Sequence, residues 1–273
     1  MPSDGMKLLN PGLSTLGILD ADLGGLSLVA AINARWPWIS TVYLADTAHS
    51  PIGERSDVLI DRRLRKGVAY LNDQGAEAVL IASQSLAALA VGHANLPMHR
   101  AMVINPVELA AAAAAESSSS GRIGMIGSRA TVASEAYPTA ILALRPEAAV
   151  HSVAAPLLVA LLDADWQHKP EARMIVKKHL HRLKVRQVDT LIMAGSRFTA
   201  LGSLMQRKIG RAVRLVDPNH CTISILDQWV APMPVPSPPL GRCRLEVTDL
   251  TPAVLRCAQT LLKRRPALDE IRI

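Results

Sequence analysis

Carboxylates, hydroxyls and amides recur directly after short apolar runs, where strands would end: Asp20-Ala21-Asp22, Asp46-Thr47, Ser83-Gln84-Ser85, the polar turn from Ser128 to Thr131, Asp163, and Ser196-Arg197. Such groups gathered at strand ends suit a ligand of amino-acid type, and a cation at Arg197 suits an anionic one. The ordinary structural explanation is that Asp and Thr cap helices and turns, and that Arg197 pairs with Asp20 or Asp163 and closes a cleft. A serine such as Ser83 becomes a nucleophile only beside a base held by a third group. No G-x-S-x-G elbow is present, and His93 and His99 stand at no recognisable spacing from it. Cys221 is the only thiol with a histidine beside it in sequence, His220; a partly buried free thiol is the simpler expectation. Cys221, Cys243 and Cys257 lie far apart in no metal-binding spacing. Neither a metal nor a cofactor is expected.

These residues need a scaffold that brings strand ends together, and the pattern supplies one. Apolar runs at 16–19, 41–45, 78–82, 102–104, 122–127, 150–153, 190–194 and 213–216 alternate with helical periodicity, as in βαβ units with a parallel sheet. Helices are expected from the Gly-rich turn at 20–26 to about Ala34, over 58–72 with Arg62, Arg63, Arg65 and Lys66, over the Ala-rich 108–116, over the basic 171–186, and over 252–264. Five prolines within 232–239 exclude helix and inner strand there. After the serine turn at 117–121 the pattern restarts, so two α/β halves of Rossmann or flavodoxin type are expected, with parallel sheets and a cleft between them. Ligands in such sheets bind beyond the C-terminal strand ends.

Composition narrows the function classes. Of the 273 residues 49% are hydrophobic and 19% charged, which excludes disorder. Aromatics are only 3%, so base stacking on single-stranded nucleic acid is implausible. No apolar stretch approaches a membrane span, and the opening residues read as an Asp- and Gly-rich turn rather than a leader. An odd number of scattered cysteines suits a reduced cytoplasm. The net charge of +7 favours an acidic partner, and the helix 171–186 is the natural surface for one, an acidic protein, a nucleic acid or an anionic lipid, although a solvated helix explains the same charges.

The motifs resemble those of glutamate racemase, in the aspartate/glutamate racemase superfamily. The turn Asp20 to Leu26 is similar to that family's D-S-G-x-G-G-L, with Ala21 and Asp22 replacing Ser and Gly. Tyr43 to Gly53 resembles Y-x-x-D-T-A-R-x-P-Y-G and carries Asp46, Thr47, Pro51 and Gly53. Val103-Ile104-Asn105-Pro106 resembles V-I-E-P, Ile123 to Thr131 resembles I-G-V-I-G-T-x-A-T, and Pro156 to Asp163 with Trp166 resembles P-L-L-V-P-L-x-E-x-x-W. Val247-Thr248-Asp249 matches a late family strand. Six motifs in the correct order imply that fold over nearly the whole chain. They also imply a division into 1–106 plus 216–273 and 107–215.

The resemblance implies racemisation at an amino-acid α-carbon without a cofactor. That chemistry needs two bases on opposite faces of a weakly acidic carbon, and the family uses one cysteine from each half. Here C-N-T-A aligns with Ser83-Gln84-Ser85-Leu86, and G-C-T-H-Y-P with the segment from Ala194 to Thr199. Ser83 and Gly195 thus stand at the cysteine positions and Arg197 at that of the family histidine; Ile52 replaces a Tyr and Asn105 a Glu. The expectation is a degenerate member acting by binding, regulation or assembly through its cleft or basic surface. Its candidate ligand residues are Asp20, Ala21, Asp46, Thr47, Pro51, Gly53, Gln84, Ser85, Thr131, Asp163 and Ser196. The alternative is an active isomerase or related decarboxylase supplying peptidoglycan precursors. Family members often pair, and the apolar content permits a homodimer.

Overall fold

The computed structural model describes residues 13–91, 96, 102–163, 166–230 and 241–273. The proline run at 232–239, His93, His99 and the side chain of Asp163 lie outside the described residues. In chain order the strands are β1 (Thr15–Asp20), β2 (Ser40–Ala45), β3 (Ala78–Ile81), β4 (Met102–Ile104), β5 (Arg122–Gly127), β6 (Ala149–Ala154), β7 (Thr190–Ala194), β8 (Arg214–Val216), β9 (Cys243–Val247) and β10 (Asp269–Glu270). They form a six-stranded sheet, β10-β9-β2-β1-β3-β4, and a four-stranded one, β6-β5-β7-β8. Every described pairing is parallel. The expected two-sheet α/β architecture is what the chain adopts.

Strands covered on both faces need continuous apolar runs rather than alternation. Accordingly β3 is wholly buried, and so is β7. The helix Asp57–Asp73 starts where Ser56 accepts from the Leu59 amide, and it buries Ile60, Leu64, Val68 and Leu71 along one stripe. Of its cations, Arg62 and Lys66 face solvent, but Arg63 turns inward. The helix Pro106–Ser117 begins two residues before the expected Glu108, because Asn105 caps it by accepting from the Val107 amide at 3.0 Å. Its Ala110, Ala111 and Ala114 are buried in one cluster with residues of both sheets, Val79 and Ile81 on one side and Ile123 and Ile192 on the other. Small side chains let this helix wedge between the two layers.

Two elements differ from expectation. The late strand reads as 247–249 in sequence, but β9 ends at Val247. Thr248 Oγ1 donates instead to Asp46, and the Asp249 amide donates to Thr47 Oγ1. Those bonds draw the segment off the ladder and onto the loop after β2. The last helix, Pro252–Leu262, stops two residues before Arg264, with Lys263 at φ +54°. Among the described residues no helix is long and apolar enough to cross a membrane.

Candidate functional site

Parallel registers carry neighbouring strands to a common edge. Asp20 pairs with Ala45 at the end of the first sheet, and Gly127 with Ala154 and Ala194 at the end of the second. The loops leaving those edges face each other across a cavity of about 50 Å³. From the first sheet come Asp22, the segment from Pro51 to Glu54, and Ser83-Gln84-Ser85; from the second come Ser128, Val159, Leu162 and the segment from Ala194 to Phe198.

Close approach of the two sides depends on two glycines. A Cβ at Gly24 would stand 2.3 Å from Ser196 Oγ and 2.8 Å from Arg197 Cγ, and one at Gly53 would stand 2.6 Å from both Ser85 Oγ and Ser128 Oγ. Those hydroxyls bridge the sheets. Ser85 Oγ lies 3.0 Å from Ser128 Oγ, which lies 2.9 Å from Thr131 Oγ1. Beside them Gln84 is 3% exposed. Its Oε1 accepts from Tyr137 Oη at 2.6 Å, while its buried Nε2 has no partner among the described residues. A buried amide donor left over at a cavity wall awaits an acceptor. Asp22 Oδ1 accepts from the Gly24 amide at 2.7 Å and from Ser196 Oγ at 3.5 Å, tying the β1 loop to the β7 loop.

Of the residues singled out from sequence, Pro51, Gly53, Ser83, Gln84, Ser85, Gly195, Ser196 and Arg197 line the cavity, and Asp20, Ala21, Asp46, Thr47 and Thr131 do not. Thr47 faces a neighbouring opening shared with Arg197 and Cys257. Thr131 is fully buried behind Ser128. Asp46 is engaged by Arg63, Thr248 and His49. Burial opposes its charge, but the bonds from those groups prevail and hold its carboxyl below the usual carboxylate range. Outside the candidate ligand residues, Asp22, Ile52, Glu54, Ser128, Val159, Leu162 and Phe198 also form cavity walls. Asp22 and Ser128 are marked in sequence by their place in polar turns after a strand; the others carry no such signal.

Asp20 is fully buried and accepts from the amides of Ala21 at 2.8 Å, Asp22 at 3.4 Å and Gly25 at 2.6 Å, and from Tyr43 Oη at 2.9 Å. It shapes the turn rather than facing a ligand. Burial, and then the Asp22 carboxylate, push it up to about 8 against these donors. An unfolded Asp titrates near 3.9, so the folded chain holds an extra proton between roughly pH 4 and pH 8. Stability is therefore expected to fall as pH rises through that window, by up to about 1.4 kcal/mol per pH unit, and to level above it. Thermal unfolding at pH 5 to 8 should show a slope that Asp20→Asn removes. Identical slopes in the two proteins would mean that Asp20 is ionised.

No cysteine lines the cavity. Cys221 lies in the helix Pro218–Trp229, half-buried, and burial followed by the Asp217 carboxylate pushes its thiol up to about 11. Cys243 is exposed on β9. Gly195 is equally telling: a Cβ there would stand 2.9–3.1 Å from ring atoms of Phe198, which is 2% exposed. No described hydrogen bond joins Ser83 to a histidine, and among the described residues no cluster of His, Cys, Asp and Glu could hold a metal ion. What the walls offer is donors (hydroxyls, the Gln84 amide, Arg197) together with two carboxylates, Asp22 and Glu54.

Comparison with known proteins agrees with the fold. The family model described as Asp/Glu/hydantoin racemase matches residues 34–226. The glutamate racemase of Desulforudis audaxviator is 33% identical over 211 residues, 77% of this chain and 76% of its own length. That of Picosynechococcus is 30% identical over 265 residues, covering 94% and 91%. Among solved structures, a glutamate racemase from Bacillus anthracis superposes with a TM-score of 0.86 at 24% identity, covering 95% of this chain and 98% of its own. The glutamate racemase from Aquifex pyrophilus gives 0.75 at 26% identity, covering 93% and 97%.

Proposed function

The chain belongs to the Asp/Glu/hydantoin racemase family, and we propose that it is a member whose cleft holds a small carboxylate without inverting it. The observation carrying this reading is that none of the three cysteines lines the cavity. Inversion needs a base on each face of the α-carbon. On one side stands Ser83, a hydroxyl with no base among its described partners to activate it; on the other, Gly195 brings no side chain. The nearby Asp20 carboxyl is enclosed by three amides and Tyr43 and does not face the cavity, so it takes no proton from carbon. The relatives' names favour the competing reading, an active glutamate isomerase supplying peptidoglycan precursors.

The two readings separate in deuterated water. No α-proton of either enantiomer of glutamate or aspartate should exchange above a matched blank. Exchange that disappears in Asp22→Asn or Glu54→Gln would establish an enzyme instead.

The cavity also bears on ligand size. At about 10–15 Å³ per water, 50 Å³ corresponds to roughly three to five heavy atoms, at most about half of glutamate. Arg197, Ser85, Ser128 and the spare Gln84 amide hydrogen are suited to a carboxylate; Asp22 and Glu54 are suited to an ammonium or hydroxyl. Short amino and hydroxy acids, such as glycine and glycolate, fit this pattern. At concentrations about a hundred times Kd they should stabilise the protein by about 2.7 kcal/mol. In a thermal-shift series glutamate should do less, and Arg197→Met or Gln84→Leu should abolish the response. Glutamate giving the largest shift would refute the size argument.

A further inference from the structure

The charge of the chain is not spread evenly. Residues 170–214 hold eleven Lys and Arg against two carboxylates, a local net charge of +9 in a chain whose total is +7. The core of this segment is the helix Pro170–Val185, which buries Ala172, Val176, Leu180 and Leu183. Arg173, Lys177, Lys178, Arg182 and Lys184, with Arg186 just past its end, are all exposed. On a 3.6-residue helix these cations cover the whole outward sweep rather than one stripe. None of the six makes an ion pair with a described residue. An ordinary solvated helix interleaves acids at i,i+4. Here the pairs Arg173–Lys177, Lys178–Arg182 and Arg182–Arg186 are like-charged, and each opposes the helix rather than supporting it.

The field continues onto the next helix. Val176, Leu180 and Leu183 share a buried cluster with Leu204, Met205 and Ile209 of the helix Gly202–Ile209, so the two helices lie side by side on one face of the second sheet. Arg207, Arg211 and Arg214 are exposed there. Arg211 and Arg214 stand where the chain enters β8, and Arg186 stands just before β7; both are strand starts, at the edge opposite the cavity. His151 and His179 feel the field: burial, then Arg186 in one case and Arg182 and Lys178 in the other, push both imidazoles below their usual value.

We propose that this face docks on the phosphate backbone of duplex nucleic acid, independently of base sequence. A protein partner is disfavoured because interfaces between proteins centre on clusters of aromatic or apolar anchors; this helix carries no aromatic residue, and its two exposed apolar side chains, Met174 and Val185, stand among the cations. A duplex presents one charge about every 1.7 Å and asks only for spaced cations. From Arg173 to Arg186 the helix rises about 20 Å, some six base pairs of duplex.

The test is fluorescence anisotropy of the full chain with a labelled 20-base-pair duplex of arbitrary sequence. Four or five neutralised phosphates predict a log–log salt slope of about −3.6 to −4.5, hence roughly 150- to 500-fold weaker binding at 200 mM than at 50 mM salt. Lys177→Glu with Lys178→Glu, both exposed, should weaken binding at least tenfold at 50 mM salt and flatten the slope by about two. Arg256→Glu with Arg264→Glu, an equal charge change on the helix after β9 and just beyond it, should leave binding unchanged. The proposal is overturned by no duplex binding at 50 mM salt, by equal losses in the two charge-reversed proteins, or by binding to polyglutamate in preference to duplex. Thermal unfolding of each variant checks that the fold is retained.

Discussion

Gly195→Cys is expected to destabilise the protein by about 1–3 kcal/mol and to restore no racemase activity, even combined with Ser83→Cys. The two positions answer differently. At Ser83 sulfur replaces oxygen with little change in shape, at the first residue before the helix Gln84–Ala90. At Gly195 the new Cβ would meet the Phe198 ring at 2.9–3.1 Å, a separation closer than carbon atoms tolerate. The ring is buried and the loop is held by the bond from Asn219 Nδ2 to the Ser196 carbonyl at 3.2 Å, so neither gives way freely. Overpacking of this kind typically costs 1–3 kcal/mol. Adding Phe198→Leu should recover part of the loss, and a double-mutant cycle on positions 195 and 198 should therefore show a favourable coupling of at least about 0.5 kcal/mol. If the Ser83→Cys, Gly195→Cys protein is as stable as its parent and exchanges the α-proton of glutamate, the cleft lacked only sulfur and the ring was no obstacle.

Asp46→Ala should be the most damaging single change, destabilising the fold by about 3–5 kcal/mol. Asp46 Oδ2 accepts from Arg63 Nε at 2.6 Å and Oδ1 from Arg63 Nη2 at 3.1 Å, in a pair whose side chains are 3% and 7% exposed. Removing one partner strands a buried guanidinium, the costly way to break such a pair; replacing both with apolar residues is far milder. Asp46→Leu with Arg63→Met should accordingly be more stable than Asp46→Ala. The pair also depends on acid. Its carboxyl is held below the unfolded value of about 3.9, so its stabilisation is complete above that value and disappears as pH falls through the folded one. Parent and Asp46→Ala melting temperatures should differ most at neutral pH and converge below about pH 4. A gap that stays unchanged as the pH is lowered further, to about 2, would show that the charge of Asp46 contributes nothing. Because Pro51 and Gly53 enter the cavity from the loop that Asp46 anchors, the same variant should weaken the thermal shift with short acids.

Much of the architecture was legible in the order of residues. Runs such as 122–127, 190–194 and 102–104 give strands with those bounds, because a strand buried on both faces must be apolar throughout, a condition local sequence records. Short or edge elements left weaker marks. β10 has two residues, and β9 exposes Cys243 and Arg244 before burying the rest, so no run of apolar residues announces either.

The site divides in the same way. That Ser83, Gln84, Ser85, Ser196 and Arg197 would meet at strand ends followed from the resemblance to the family motifs, placed on parallel strands. Which polar residues would face the cavity did not. Asp20 is claimed by Tyr43 and three amides, and Asp46 by Arg63 and Thr248, the latter 202 residues along the chain. Partners are chosen by distance in space, and a carboxylate enclosed by donors serves the fold while an equally placed one left facing a cavity serves a ligand. The sequence scatters its three cysteines along the chain; only the packed structure decided that none of them lines the cavity, because contact between side chains is a property of three dimensions.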